Sequence, residues 1–245
     1  MTRKPLAGQI ALVTGSSQGI GKAIALQLSA AGAGLCLVGR ELQKLEAVGE
    51  EARATTDQVF VYRADLTVDG DLEELCSSIR RDVGRLDILV HSAGHYTMGP
   101  TEAAPTGEFD ALYRSNVRAP YALTQALLPL LREAEGQVVF INSSVGLQAR
   151  AKVGQFAATQ HALKAIADSL RQEVNADGVR VLSVYPGRTA TPRQAMIFQM
   201  EGRSYVPHLL MQPEDVATMV AHALCLPRTA EVTDISIRPM RKASD

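Results

Sequence analysis

Residues 10–28 read IALVTGSSQGIGKAIALQL, and three patterns follow one another along them. Ile10 to Val13 is an unbroken apolar run of strand length, closed by Thr14 and Gly15. Gly15, Gly19 and Gly21 then permit a tight turn, and from Ile20 onward apolar residues recur at helical spacing. A backbone without Cβ atoms lets a ligand approach closely, and a helix amino terminus offers free N–H groups and a positive dipole. Strand, glycine turn and helix in this order therefore predict a seat for a pyrophosphate, formed by Gly15, Ser17, Gln18, Gly19, Ile20 and Gly21. The turn alone would carry little weight, since glycines also serve ordinary turns; the flanking elements supply the rest.

The same alternation continues outward. Strand-length apolar runs recur as LCLVGR (35–40), VFVYRAD (59–65), LDILVHSAG (86–94), VVFINSS (138–144), VRVLSVYPG (179–187) and TDISI (233–237), with helical stretches between them. Runs so uniformly apolar suit strands covered on both faces, and the long spacers are what parallel crossovers require. The expected fold is an α/β, single-domain Rossmann-type doubly wound parallel sheet of about seven strands flanked by helices, spanning residues 1–245. The segment at about 189–212 lacks a strand signature and reads as a substrate lid of loop or short helices. At 46% hydrophobic and 21% charged residues, with a net charge of −1, the chain gives no electrostatic reason to expect nucleic acid or an anionic membrane. A small-molecule partner is expected instead. No signal-like stretch follows the short basic start, and no apolar run approaches the roughly eighteen residues of a spanning helix, so a cytoplasmic location is expected. Cys36, Cys76 and Cys225 lie far apart and the five histidines show no ligand spacing. Neither a disulfide framework nor a metal site is expected, and Cys36 reads as a buried hydrophobe.

The spacing T-G-x-x-x-G-x-G resembles that of the short-chain dehydrogenase/reductase family, and further blocks match in order: Asp65-Leu66, HSAG (91–94) where the family usually has N-N-A-G, Asn116, Ser143 within INSSVG, and YPGRTATP (185–192). The resemblance implies a nicotinamide cofactor. Asp65 and Leu66 would lie near the adenine, Ser92, Ala93 and Gly94 beside the ribose, and Pro186, Gly187 and Thr189 around the carboxamide. An acidic residue ending the second strand would favour the unphosphorylated ribose; Arg40 stands there and can bind a 2′-phosphate bidentately, so NADP(H) is favoured over NAD(H). The resemblance also implies a homodimer or homotetramer paired through helices at 108–132 and 154–176.

One departure from the family decides the chemistry. Counting thirteen positions on from Ser143, where the family has its catalytic Tyr, gives Phe156; four further on, in place of the Lys, stands Gln160. Phe156 has no proton to give, and Gln160, although able to hydrogen-bond a ribose, has no charge with which to lower an acid's pKa. Asn116 and Ser143 remain from the catalytic set, and His95, Tyr96 and Tyr185 are the candidate substitute acids. Met196, Ile197, Phe198, Met200 and Tyr205 offer an apolar lid suited to a small apolar, cyclic or polyketide-like carbonyl substrate. Three functions fit: an NADP(H)-dependent oxidoreductase with a non-standard site; a cyclase, dehydratase or isomerase built on the same scaffold; and a non-catalytic binding or partner protein.

Overall fold

The computed structural model describes residues 4–241. Seven parallel strands form one sheet, in the order β3-β2-β1-β4-β5-β6-β7. They are β1 (Ile10–Thr14), β2 (Gly34–Gly39), β3 (Val59–Arg63), β4 (Ile88–His91), β5 (Gln137–Ile141), β6 (Arg180–Pro186) and β7 (Asp234–Ile237). Each coincides with an apolar run read from the sequence, β2 and β5 starting one residue earlier than their runs. The strand order reverses at β1, with β2 on one side and β4 on the other, and this places a crevice beyond the carboxyl ends of those strands.

Helices cover both faces. On one lie α1 (Gly19–Ala30), α2 (Leu42–Arg53) and the last helix, α8 (Pro213–Leu224). Alternate strand residues such as Ala11, Val13, Leu35, Leu37, Val139 and Val184 are buried against them. On the other face α3 (Asp69–Asp82), α5 (Ala119–Glu133) and α6 (Gly154–Val174) bury Leu12, Cys36, Val38, Leu89 and Phe140. Period-two alternation thus feeds two cores rather than one core and a wet face. Cys36 sits fully in the second, where burial pushes its thiol pKa up to about 12, so it behaves as a hydrophobe. Buried Asp87 ties the sheet at its start: its carboxylate accepts the Ile10 N–H at 2.9 Å and pairs with Arg85.

Two features of the connections matter for the site. Between α4 (Thr106–Tyr113) and α5, residues Arg114–Arg118 form a π-helical turn with Asn116 buried inside it. Such turns aim a side chain that regular helical geometry would not. The segment 189–212 folds as the short helix α7 (Pro192–Met200) and a 3₁₀ turn at Pro207–Leu209, and Thr189 forms a bridge with Met211 at its ends. No helix among the described residues is long and apolar enough to cross a membrane.

Candidate active site

The turns after β1 and β4 are fastened to each other by one side chain. Thr14 Oγ1 accepts the backbone N–H groups of Ser92 and Ala93, at 3.0 and 3.1 Å. That contact leaves no space for side chains: a Cβ on Gly15 would stand 2.8 Å from the Ala93 nitrogen, and Gly15 itself has φ +65°. A Cβ on Gly21 would stand 2.4 Å from the Gly15 carbonyl oxygen. These glycines are therefore required by close approach and backbone conformation. The N-cap residue of α1, Gln18, closes none of the helix's first N–H groups with its side chain, so they remain for a ligand.

A cleft of about 550 Å³ opens above these turns. It is lined by every residue of the predicted seat, by Arg40, Asp65, Leu66, Ser92, Ala93 and Gly94, and by Pro186, Gly187 and Thr189. Asp65 remains a carboxylate: burial, which alone would raise its pKa, is outweighed by two hydrogen bonds from Thr67 and by the charge of Arg40. Its carboxylate both closes a local turn with Thr67 and faces the cleft. The cleft is of a size for a small ligand, and its glycine cradle, free helix amino terminus and Arg40 suit a phosphorylated dinucleotide.

Deeper in, Ser143, Phe156 and Gln160 line the same cleft. Ser143 stands at the end of β5 on a 3₁₀ turn, with its Oγ accepting from Val145 N. Asn142, a residue the sequence reading passed over, donates from its amide to the Gln160 carbonyl at 2.9 Å while accepting from Ser143 N, so β5 and α6 are locked together here. Phe156 and Gln160 lie one turn apart on α6 and are both buried. Phe156 packs with Leu112, Val145, Val153 and Ala157, and Tyr96 meets its ring edge-on at 4.8 Å between centroids. The Gln160 amide makes no hydrogen bond to the described residues, which leaves its donors and acceptor to a ligand.

The remaining candidates separate clearly. Asn116 acts as a clamp: its amide oxygen accepts His95 N at 2.7 Å, and its nitrogen donates to the His95 carbonyl and to Thr159 Oγ1 on α6. His95 lines the cleft but is open to solvent, with Nε2 3.5 Å from a Glu108 carboxylate oxygen. Tyr96 is half-buried and lines the cleft. Burial first, then Glu201, raises its pKa, against the smaller opposing pull of Arg150 and Arg188. Tyr185, expected to face the open end of the sheet, does not. It is an internal residue of β6, paired with Ser236 of β7, only 1% exposed and absent from the cleft wall.

The apolar lid also needs correction. Of its five residues only Ile197 lines the cleft; Met196 and Met200 point to solvent, and Phe198 is buried between Tyr205 and the guanidinium of Arg188. Segment 189–212 instead presents polar groups to the cleft, among them Thr191, Arg193, Gln194 and Glu201. Phe198 and Tyr205 pack against each other within the segment, a use of apolar residues that sequence spacing does not distinguish from ligand contact.

A doubly wound sheet whose switch-point turns and β6 end converge on a glycine-built cleft defines a dinucleotide-binding α/β protein. The chain belongs to the short chain dehydrogenase family, which residues 9–202 match. It is 30% identical over 233 residues to an uncharacterised oxidoreductase of Staphylococcus epidermidis, covering 95% of this chain and 97% of that one. Among solved structures, a short chain dehydrogenase of Shigella flexneri superposes with a TM-score of 0.90 at 31% identity, over 99% of this chain and 96% of that one. An alcohol dehydrogenase of the archaeon Thermococcus sibiricus, complexed with 5-hydroxy-NADP, gives 0.86 at 25% identity over 97% and 99% of the two chains. A metagenomic short-chain oxidoreductase in complex with NADP gives 0.82 at 29% identity, over 97% and 100%.

Proposed function

We propose that this chain is an NADP(H)-binding oxidoreductase that works without the Tyr and Lys pair of its family, their places being taken by Phe156 and Gln160. One observation carries the reading: the glycine cradle, Arg40, Asp65 and Ser143 all line a single cleft, to which Phe156 and Gln160 of α6 bring a benzyl ring and a neutral amide. NADP-complexed neighbours in the same fold support the cofactor. When bound, the cofactor supplies the hydride, and the residues of this chain hold it and position the carbonyl compound beside it. Ser143 offers a hydroxyl to the carbonyl oxygen, and the Gln160 amide is free to hydrogen-bond the ribose.

Tyr96 is the side chain best placed to donate a proton, since it is the one candidate that both lines the cleft and touches Phe156. Its raised pKa makes it a weaker acid than an ordinary phenol, so the protein is suited to activated carbonyls and turns over slowly. Segment 189–212 serves as the lid, and the helices at 108–132 and 154–176, which are α4 with α5 and α6, pair copies of the chain into a dimer or tetramer.

The test uses the cofactor's own emission, as the chain has no tryptophan. NADPH and NADH are titrated, and single-turnover reduction is then followed with a panel of activated ketones, for the natural chain and for Tyr96→Phe. NADPH binding with slow turnover that Tyr96→Phe lowers further supports the reading. Tight NADPH binding with no reduction of any ketone moves the protein to non-redox chemistry on the same scaffold, and no binding of either nucleotide moves it to a non-catalytic role.

A further inference from the structure

Residues 191–193 of the covering segment span the mouth of the cleft from one wall to the other. On one side the Thr191 methyl lies 3.2 Å from where a Cβ on Gly19 would stand, against the start of α1. On the other, Arg193, the second residue of α7, donates from Nη2 to the Gly94 carbonyl at 2.5 Å, in the turn after β4. The two turns that cradle the cleft are thus bridged by residues 191–193. Arg193 is a residue that the sequence reading did not mark.

Its charge has no protein counterpart. Among the described residues Arg193 forms no ion pair, and its hydrogen bond is to a neutral carbonyl, whereas Glu41 is paired with Lys44 and Glu201 with Arg188. Arg193 is exposed at the mouth of the cleft, and Arg40 lines the same cleft. Arg40, Arg114, Arg150, Arg188 and Arg193 line the cleft against Glu41, Asp65 and Glu201, an excess of positive charge that favours an anion. A guanidinium has five N–H donors in a planar fork, and Gly94 takes one, which leaves a bidentate edge of the kind phosphates accept.

We propose that Arg193 is a second phosphate contact for the dinucleotide, reaching its pyrophosphate from the covering segment, so that cofactor binding and seating of the segment are one event. The proposal rests on the NADP(H) reading above. The pyrophosphate is the group assigned, because residues 191–193 lie against the amino terminus of α1, where phosphates are held, while Arg40 ends β2 at the ribose side. Both nucleotides carry a pyrophosphate and only one a 2′-phosphate, so the two arginines have different signatures.

NADPH and NADH are titrated by emission against the natural chain, Arg193→Gln, Arg193→Lys and Arg40→Ala, and segment 189–212 is probed by limited proteolysis with and without NADPH. Arg193→Gln is expected to weaken both nucleotides equally, on the order of tenfold to a hundredfold, the loss of a charge-assisted hydrogen bond. Arg193→Lys should recover part of that loss, Arg40→Ala should weaken NADPH selectively, and NADPH should protect the segment in the natural chain but not in Arg193→Gln. Unchanged affinity for both nucleotides, with a lower melting temperature of the free protein, would show Arg193 to be only a brace on Gly94 and would overturn the proposal. A loss confined to NADPH would overturn the pyrophosphate assignment. A natural chain that binds neither nucleotide would overturn the cofactor reading itself, and this proposal with it.

Discussion

His91 is the residue whose protonation this fold resists most strongly. It ends β4 with its ring stacked on Phe140 at 4.9 Å and its Nε2 2.7 Å from Thr124 Oγ1, and burial lowers its pKa from 6.5 to about 3. In the unfolded chain it takes up a proton below pH 6.5; in the folded chain it does not until about pH 3. The unfolded state then binds the extra proton, so His91 leaves stability unaffected above pH 6.5 and lowers it progressively as the pH falls toward 3. Urea unfolding at pH 7.5 and pH 5.0 should differ by about 2 kcal/mol on this account, at about 1.4 kcal/mol per pH unit below 6.5. His91→Asn should flatten that dependence while lowering stability overall, since the ring stacking is lost. An unaltered slope in the variant would mean that another group is responsible. At Phe156 and Gln160 the expectation concerns chemistry. Phe156→Tyr with Gln160→Lys should reconstitute an acid of lowered pKa beside Ser143 and raise NADPH-dependent ketone reduction by about 10²-fold or more, with each single variant gaining much less. A double variant that binds NADPH and gains nothing would show that the packing of Tyr96 against position 156 has rebuilt the pocket for other chemistry.

At the scale of elements, the β1–α1 turn and α3 make opposite use of glycine. Gly21 sits in the first turn of α1 with the Gly15 carbonyl oxygen 2.4 Å from any added Cβ, and backbone cannot yield as a flexible side chain can. Gly70, in the first turn of α3, has nothing within 4 Å. Gly21→Ala should therefore disturb the turn, weaken nucleotide binding and lower the melting temperature, whereas Gly70→Ala should stabilise by about 0.5–1 kcal/mol through reduced freedom of the unfolded chain. Thermal melts of the two variants side by side check this, and equal behaviour would contradict the close-approach argument. The strands were legible in sequence because burial on both faces leaves an uninterrupted apolar run, and the β1 turn because its glycines come between two recognisable elements. Tyr185 misled for a related reason. It directly precedes Pro186-Gly187 at the cleft, but a strand turns alternate side chains to opposite faces, and adjacency in sequence does not say which face meets the opening. Arg193 was illegible because its partner, Gly94, lies ninety-nine residues away and is a backbone carbonyl, which no side-chain pattern reveals.

For the whole molecule, the exposed surface of α4 and α5 is what the single chain leaves unexplained. Of the eight residues of α4 only Leu112 is buried, and a helix held by one buried side chain has little reason to persist in isolation, as helices this short draw their stability from packing. Phe109 and Tyr113 on α4 and Tyr121 on α5 are 40%, 53% and 51% exposed, large rings on the two helices that flank the π-helical turn. The outer side of α6 adds exposed Ala158 and Ala165, whose small side chains let another helix approach closely. Such a surface suits a partner, and in a homo-oligomer with two-fold symmetry the same patch would cover its own copy. The expected outcome is a dimer or tetramer in solution, measured by light scattering behind size exclusion at micromolar concentration. Tyr113→Glu with Tyr121→Glu should shift the mass toward monomer, because the paired chains would bury four carboxylates without partners. Since α4 carries Leu112 of the cluster around Phe156, dissociation should also loosen that wall and weaken nucleotide binding alongside the loss of mass. A natural chain that is monomeric at these concentrations would leave α4 supported by Leu112 alone and would contradict the pairing. A charged variant that keeps its mass would move the contact to another face.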